Sequence, residues 1–218
     1  MRAVIFVNGM VNDYQALAGW LRPDDLLIGA DGGTLHCLAL GRQPDVIVGD
    51  LDSLEPALIA QLRAQGVQIE RHSPIKDQTD LELAIDCAQR HAVDAVLLVG
   101  ALGGRLDQML ANVLILARQD WPFPILLGED KQIAQVLRGG ETLHVHAPIG
   151  SILSVIPLSE RVTGITYAGL EYPLVNVTLP FGSTRGVSNV VQSVPAKIQL
   201  TEGLLLVIQT LPHHTDYM

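Results

Sequence analysis

Two aspartates separated by one residue follow an apolar run in the first half of the chain. Asp50 and Asp52 come after Val46–Val48, with Gly49 between the run and the first carboxylate. On an extended segment, side chains two residues apart point the same way, so both carboxylates face one space. Like charges repel there unless a cation lies between them, and Mg²⁺ prefers such oxygen ligands. The pair favours a magnesium site; the alternative is a solvated acidic turn in which Asp52 and Ser53 cap the next helix.

A second acidic segment precedes a predicted helix. Thr79 and Glu82 fit a capping box, with Thr79 as the N-cap residue, so both are assigned to the helix. Lys76, Asp77 and Asp80 remain, and a lysine beside two carboxylates is typical of a site for a metal and a phosphate. Asp80 at the first helical position also favours the helix dipole, so a purely structural role stays open.

A glycine-rich segment leads into another predicted helix. Gly100, Gly103 and Gly104 allow the backbone to approach a phosphate closely, and the N-terminus of the helix presents free N–H groups. Arg105 is able to hold phosphate oxygens with two hydrogen bonds. Asp107, near the start of the helix, either belongs to the site or complements the helix dipole. The segment is neither a Walker A loop nor a GxGxxG motif, and tight turns need glycines too.

The residues up to about 130 alternate short apolar runs with helical patterns. This alternation predicts βαβ units and an open, doubly wound, mainly parallel sheet. The predicted strands are Ala3–Val7, Leu26–Ile28, Val46–Val48, Val67–Ile69, Ala95–Val99 and Ile125–Leu127, and the predicted helices lie near 13–21, 34–41, 55–65, 80–91 and 106–118. In such a sheet, ligands bind beyond the carboxyl ends of the strands, which is where the acidic and glycine-rich loops emerge.

Six aspartates are therefore expected at one edge of the sheet. They are Asp31, Asp50, Asp52, Asp77, Asp80 and Asp107. Such a cluster needs cations, and Lys76, Arg105 and the glycine turns indicate a nucleotide polyphosphate that carries Mg²⁺. The chemistry implied is phosphoryl or pyrophosphoryl transfer, which depends on positioning and charge neutralisation.

From about residue 131 the pattern changes to short β-rich runs with glycine and proline turns. This predicts an all-β sandwich, so the chain is divided into an α/β domain, 1–130, and a β domain, 131–218. The predicted strands are Glu141–His146, Ser151–Ile156, Val162–Tyr167, Val175–Leu179, Ala196–Leu200 and Leu204–Gln209. His213 and His214 are interpreted as a tail without a function.

Composition excludes some classes of protein. The 218 residues carry a net charge of −9, whereas general nucleic-acid binding needs a basic face. No stretch reaches the ~18 apolar residues of a membrane span, and the N-terminal apolar run is too short for a signal peptide. Cys37 and Cys87 are predicted to be buried thiols in a reducing compartment, which indicates a cytoplasmic protein.

Five strings together resemble the thiamine pyrophosphokinase family. They occur in the family's order and are Gly29-Ala-Asp-Gly-Gly33, Gly49-Asp-Leu-Asp-Ser53, Lys76-Asp-Gln-Thr-Asp80, Gly103-Gly-Arg-Leu-Asp107 and Gly186-Val-Ser-Asn189. The resemblance implies an α/β catalytic domain, a C-terminal β-sandwich that binds thiamine and forms the dimer interface, and a homodimer whose active sites are shared between subunits. It further implies Mg²⁺-dependent pyrophosphoryl transfer from ATP to thiamine, by attack on the β-phosphate, with AMP released.

The resemblance also assigns roles by position. The metal-binding residues it implies are Asp50, Asp52 and Asp80, which with Arg105 are also the catalytic residues. The implied nucleotide and phosphate contacts are Asp31, Gly32, Gly33, Lys76, Asp77, Gly103, Gly104 and Asp107. Ser188 and Asn189 are implied to contact thiamine.

The sequence departs from the family pattern at two places. Gln108 stands where a histidine is expected, and no tryptophan occurs near the C-terminus to stack on the pyrimidine ring; Tyr167, Tyr172 and Phe181 are possible substitutes. Two rival hypotheses remain. One is an enzyme that pyrophosphorylates another hydroxymethyl heterocycle, such as a pterin, and the other is a nucleotide sensor without turnover.

Overall fold

A computed structural model describes residues 1–118 and 121–212 of the chain. Residue contacts divide the chain into two units, Met1–Asp130 and Lys131–Met218. His213 and His214, interpreted as a tail, lie outside the described residues. The roles assigned to the two predicted domains stay predictions.

Among its described residues, the first unit is built on six parallel strands and five α-helices. The strands are β1 (Arg2–Phe6), β2 (Leu26–Ala30), β3 (Val46–Gly49), β4 (Gln68–Arg71), β5 (Ala95–Val99) and β6 (Ile125–Glu129). The helices are α1 (Tyr14–Gly19), α2 (Thr34–Ala39), α3 (Pro56–Ala64), α4 (Asp80–Arg90) and α5 (Leu106–Leu114). The strand order is β6-β5-β1-β2-β3-β4, and all the pairs are parallel. The predicted α/β class with a mainly parallel sheet is confirmed.

The central strands β1, β2, β3 and β5 are mainly apolar because the centre of a parallel sheet is covered on both faces. Ala3, Val4, Ile5 and Phe6 of β1 are fully buried. Helix α4 packs on β2 and β3. Its buried residues recur at helical spacing, which gives the helix one apolar face.

The order of the strands places a switch point beside β1. The chain adds β2, β3 and β4 on one side of β1 and then returns to add β5 and β6 on the other. At such a point the loops after the two adjacent strands separate and leave a crevice, where ligands bind in α/β sheets. The loops that follow β1 and β5 are therefore the expected walls of a site.

The second unit consists of antiparallel strands. These are β7 (Gln132–Arg138), β8 (Thr142–Val145), β9 (Ile152–Pro157), β10 (Arg161–Ala168), β11 (Val177–Pro180), β12 (Asn189–Val190), β13 (Ala196–Gln199) and β14 (Leu204–Thr210). One group pairs in the order β12-β9-β14-β7 and the other in the order β11-β10-β13-β8. Leu153 and Val207 from the first group share one buried core with Val162 and Ile198 from the second. The predicted all-β class of this half is confirmed.

The sequence patterns missed two strands of this unit. In β7 the buried residues are Ile133, Ala134 and Leu137, a spacing that lacks the two-residue alternation of a half-buried strand. Strand β12 has only two residues and is too short to produce a pattern. Both strands are defined by their partners, β14 and β9, rather than by local propensity.

Two further sequence predictions concern membranes and thiols. None of the helices in the described part of the chain is long and apolar enough to cross a membrane. Cys37 and Cys87 are buried free cysteines, as predicted. Burial raises the pKa of each thiol to about 12, so neither is a reactive thiolate at neutral pH.

Candidate active site

A cavity of about 750 Å³ opens at the carboxyl edge of the first unit's sheet. The loops after β1, β2, β3 and β5 and the start of α4 surround it, so it occupies the expected switch point. Seven of the predicted site residues line it: Asp31, Asp50, Lys76, Asp80, Gly103, Gly104 and Arg105. The remaining predicted residues of this unit do not line it: Gly32, Gly33, Asp52, Asp77 and Asp107.

Three carboxylates meet at the ends of β2 and β3. One oxygen from each of Asp31, Asp50 and Asp52 lies within 4.8 Å of the others. Asp31 is only 7% exposed, and in the described part of the chain its buried Oδ1 has no hydrogen-bond partner. A buried, unpartnered carboxylate oxygen beside two other acids is strongly unfavourable unless a cation joins them. The donor set fits Mg²⁺, which takes carboxylate oxygens.

The backbone around these carboxylates is strained. Asp31 and Leu51 have φ values of +46° and +66°, in the left-handed region that side chains seldom adopt. A Cβ atom on Gly49 would lie 3.1 Å from the Asp31 Cβ and 3.1 Å from the Asp80 Oδ1. The absence of a side chain at Gly49 therefore lets Asp31 and Asp80 come together beside β3.

Lys76 supplies the positive charge closest to these acids. Its Nζ atom lies 2.7 Å from Asp80 Oδ1 and 3.9 Å from Asp50 Oδ2. Asp80 is outside the group of carboxylates whose oxygens are close enough to share one cation, whereas Asp31 is inside it. The group of close carboxylates therefore differs from the metal ligands that the family resemblance implied. It contains Asp31, at the end of β2, in place of Asp80, which forms an ion pair with Lys76.

The predicted capping interactions are partly correct. Thr79 Oγ1 accepts a hydrogen bond of 3.2 Å from the Glu82 N–H and caps α4, as predicted. The Glu82 carboxylate, however, pairs with Arg118. Helix α3 begins at Pro56 without a side-chain cap, so the alternative in which Asp52 and Ser53 cap it is wrong.

The glycine-rich loop after β5 forms another wall of the cavity. Gly100, Gly103 and Gly104 have φ values of +62°, +79° and +71°, which explains why residues without side chains stand there. A Cβ atom on Gly103 would lie 2.8 Å from the Met10 Cβ, whereas one on Gly104 would meet nothing within 4 Å. The backbone at Gly104 is therefore open to a ligand.

Arg105 and Asp107 pair with each other at the rim. Arg105 Nε and Nη2 donate hydrogen bonds of 3.1 and 2.6 Å to the two oxygens of Asp107. This contact lowers the pKa of Asp107, chiefly through the hydrogen bond from Arg105. Both side chains are exposed, so solvent weakens the pair and leaves Arg105 able to exchange Asp107 for a phosphate.

Gly32, Gly33 and Asp77 do not line the cavity. Gly33 packs against β1, where a Cβ atom would lie 2.0 Å from the Phe6 carbonyl oxygen. A Cβ atom on Gly32 would lie 2.4 Å from Asn8 Nδ2. These two glycines have a packing role in the structure, and Asp77 is exposed.

In the second unit, the residues implied to contact thiamine adjoin a smaller cavity of about 290 Å³. Asn189 and Tyr172 line this cavity, but Ser188 does not. Asn189 Nδ2 donates a hydrogen bond of 2.8 Å to the Tyr172 carbonyl oxygen, and Asn189 Oδ1 accepts one of 3.0 Å from the Tyr172 N–H. The Asn189 amide therefore fixes the Tyr172 backbone. The Ser188 N–H donates to Ser154 Oγ, with Ser188 at a φ of +63° and its side chain exposed.

Sequence reasoning missed several polar residues that line the first cavity. They are Asn8, Gln78 and Asn112, and Gln108, noted as a departure from the family pattern, lines it too. Asn8 follows β1, so the rule that located the acidic loops also applied to it. Neutral amides gave no charge cluster to draw attention to them.

A parallel sheet with an acidic cluster, a lysine and a glycine-rich loop around one cavity defines a nucleotide-dependent transferase. The family models described as thiamin pyrophosphokinase, catalytic domain, and thiamin pyrophosphokinase, vitamin B1 binding domain, match residues 18–124 and 141–205. The chain belongs to the thiamine pyrophosphokinase family.

Individual relatives agree with this assignment. The chain is 30% identical over 207 residues to thiamine pyrophosphokinase of Bacillus subtilis, covering 94% of this chain and 97% of that protein. A crystal structure of thiamine pyrophosphokinase from Bacillus subtilis has a TM-score of 0.86 at 28% identity, covering 98% of this chain and all of that one (100%). The corresponding structure from Geobacillus thermodenitrificans has a TM-score of 0.82 at 29% identity, covering 96% and 97%.

Proposed function

We propose that this protein transfers a pyrophosphoryl group from ATP to the hydroxyl group of thiamine, which gives thiamine diphosphate and AMP. Membership of the thiamine pyrophosphokinase family, over both halves of the chain, supports the reaction and both substrates. The single observation that carries the assignment of the site is the acidic cavity at the sheet's switch point, lined by Asp31, Asp50 and Lys76.

Asp31, Asp50 and Asp52 are the proposed Mg²⁺ ligands, because their oxygens are mutually close and the Asp31 Oδ1 lacks a protein partner among the described residues. Mg²⁺ bound there would neutralise phosphate charge on ATP. Asp80, which the family resemblance also implied as a ligand, would first have to exchange its contact with Lys76.

The other residues of the cavity are proposed to position the polyphosphate. The N–H groups near Gly103 and Gly104 and the start of α5 face phosphate oxygens, and Arg105 leaves Asp107 to hold the departing AMP. Lys76, which also lines the cavity, offsets phosphate charge there. The cavity-lining carboxylates supply the acceptor for the proton of the thiamine hydroxyl.

Thiamine is proposed to contact Ser188 and Asn189, as the family motif implies. Asn189 uses its amide to hold the Tyr172 backbone, so its contribution includes placing the Tyr172 ring. Tyr172 is 62% exposed and is the proposed stacking surface for the pyrimidine ring, in place of the absent tryptophan. Tyr167 is buried, which disfavours it as the stacking residue.

One assay separates the proposed reaction from its rivals. Purified protein is incubated with ATP and Mg²⁺, with either thiamine or a pterin alcohol, and the products are identified by mass. We expect thiamine diphosphate and AMP in equal amounts. ADP would indicate simple kinase transfer, a pterin product would indicate the related enzyme, and nucleotide binding without turnover would indicate a sensor.

A homodimer is proposed on the basis of the family resemblance and one surface feature. Leu106, Leu110 and Leu114 of α5 are 64%, 50% and 52% exposed and recur every four residues. This spacing places them along one face of the helix, and a continuous exposed apolar face is typical of a protein interface. We infer that two subunits complete each active site.

The dimer predicts that Leu110→Asp lowers the mass in solution from twice 23.5 kDa to that of one chain, because a buried charge at the interface is unfavourable. Light scattering after size exclusion measures the mass. Leu35→Asp, on α2 and 46% exposed, is the matched control and should stay dimeric. Equal masses for Leu110→Asp and wild type would contradict this interface.

A cytoplasmic location is also proposed. Cys37 and Cys87 are both free and buried, which suits a reducing compartment.

A further inference from the structure

Asn112 is a buried amide on α5 that the proposed reaction does not use. It is only 6% exposed, and it lines the cavity of the first unit. Its Nδ2 atom donates a hydrogen bond of 2.8 Å to the Ala101 carbonyl oxygen. Because a carbonyl oxygen only accepts hydrogen bonds, this contact fixes the amide with its nitrogen towards Ala101 and its oxygen turned away.

The Asn112 Oδ1 atom has no hydrogen-bond donor among the described residues. Unlike the Asp31 Oδ1, it is not fully buried and retains accessible surface. Since nearly all of the residue is buried and the residue lines the cavity, that surface belongs to the cavity wall. An acceptor held in one orientation without a donor is a site for a ligand group that donates a hydrogen bond.

The wall beside Asn112 is uncharged. The loop after β1 is joined to the loop after β5 by the Met10 N–H, which donates a hydrogen bond of 2.9 Å to the Leu102 carbonyl oxygen. Val7, Met10 and Ala101 line the cavity on these two segments, and all three are apolar. Apolar side chains around one fixed polar group are typical of a site for a flat heterocyclic ring.

This wall stands across the sheet from the acidic cluster. Asp31 and Asp50 follow β2 and β3, whereas Ala101 follows β5, and β1 and β2 lie between β5 and β3. With neighbouring strands about 4.8 Å apart, the ends of β3 and β5 are separated by roughly 14 Å. This separation suits a nucleotide that lies across the sheet, with its β- and γ-phosphates towards the acids and its base at Asn112. Arg105, which is proposed to hold the departing AMP, also follows β5.

We propose that Asn112 is the residue that selects adenine, through a hydrogen bond from the 6-amino group of the base to Oδ1. An amide side chain is complementary to adenine at this position, whereas guanine and hypoxanthine carry a carbonyl oxygen there, which an acceptor repels. Phosphate oxygens accept hydrogen bonds, so they are not partners for Oδ1. Thiamine also carries an amino group, but it is proposed to contact Ser188 and Asn189. This inference rests on the proposed nucleotide site in the same cavity.

The test is calorimetric titration with the Mg²⁺ complexes of ATP, ITP and purine riboside triphosphate, with thiamine omitted so that no group is transferred. ITP has a carbonyl oxygen where ATP has the amino group, and purine riboside triphosphate has a hydrogen atom there. We expect wild type to bind each of these two at least about tenfold more weakly than ATP, because the buried acceptor is left without its donor. Asn112→Ala should bind all three within about twofold of one another. If Asn112 only held the Ala101 loop, its removal would weaken all three equally and leave their ratios unchanged.

Two further variants keep the inference testable even where Asn112→Ala fails to fold. Asn112→Asp retains an acceptor but loses the donor to Ala101, so it should bind nucleotides more weakly and still prefer ATP. Asn8→Ala removes another amide from the same cavity and should keep the wild-type ratios. Equal affinities of wild type for the three triphosphates, unchanged ratios in Asn112→Ala, or loss of the preference in Asn112→Asp or Asn8→Ala would overturn the assignment.

Thiamine diphosphate formation, measured on the same preparations, separates this inference from the proposed function. A preference for ATP without any thiamine diphosphate would contradict the reaction and support the selection of adenine. Thiamine diphosphate formed with equal kcat/KM from ATP and ITP would support the reaction and contradict the selection. A wild-type protein that binds no nucleotide would contradict both.

Discussion

Asp50→Asn is expected to lower kcat for thiamine diphosphate formation by at least about 100-fold, the usual loss when one main electrostatic stabiliser of a transition state is removed. Asp50 lines the cavity, shares the acidic cluster with Asp31 and Asp52, and lies 3.9 Å from the Lys76 ammonium group. The amide has nearly the same shape but carries no charge. The substitution therefore removes a proposed metal ligand with little change in packing.

Steady-state rates at saturating ATP, Mg²⁺ and thiamine measure this effect, and circular dichroism checks the fold. Asp52→Asn should behave similarly, because its carboxylate belongs to the same cluster. Asp24→Asn, an identical change at an exposed position in the same unit, is the control and should retain wild-type rates. Wild-type rates in both Asp50→Asn and Asp52→Asn would contradict the proposed metal site.

The positions of the site loops were predictable because strands and helices alternate so regularly in the first half. Once β2, β3 and β5 are recognised as parallel strands, their carboxyl ends must share an edge. The acidic segment after β3 and the glycine-rich segment after β5 were placed there by this rule alone. The cavity lies at that edge.

The membership of the acidic cluster was not predictable from spacing. Asp31 belongs to it because its backbone adopts a left-handed conformation and because Gly49 leaves room for it beside β3. Asp80 is held by Lys76, four residues earlier. Both facts depend on backbone angles and on register between strands, which a sequence pattern does not specify.

Glu129 illustrates the same limit for a single residue. In the sequence it is an acid that follows an apolar run, which is a common surface arrangement. In the structure it is partly buried, and its Oε2 atom has no hydrogen-bond partner among the described residues, which the sequence does not reveal. Strand β7 was missed for a related reason, because its pairing with β14 decides its conformation.

Asp31→Asn should show whether the acidic cluster destabilises the fold without a metal and stabilises it when Mg²⁺ binds. Without Mg²⁺, the variant is expected to unfold at a higher temperature than wild type, since one of three clustered negative charges is gone. With Mg²⁺ in excess, wild type should gain stability by mass action, about 2.7 kcal/mol at 100 times Kd, and the variant much less. The order of the two unfolding temperatures therefore reverses on adding Mg²⁺.

Asp25→Asn provides the matched comparison for this reversal. Asp25 is 8% exposed, similar to Asp31 at 7%, but its carboxylate already has a protein cation, with Arg2 Nη2 at 2.7 Å. Removing one partner of a buried pair costs about 3–5 kcal/mol, so Asp25→Asn should unfold earlier with or without Mg²⁺. If Asp31→Asn also unfolded at a lower temperature than wild type in EDTA, the Asp31 carboxylate would stabilise the fold without a metal. A reversal confined to Asp31→Asn would mean that the fold retains a destabilising carboxylate because it holds the metal.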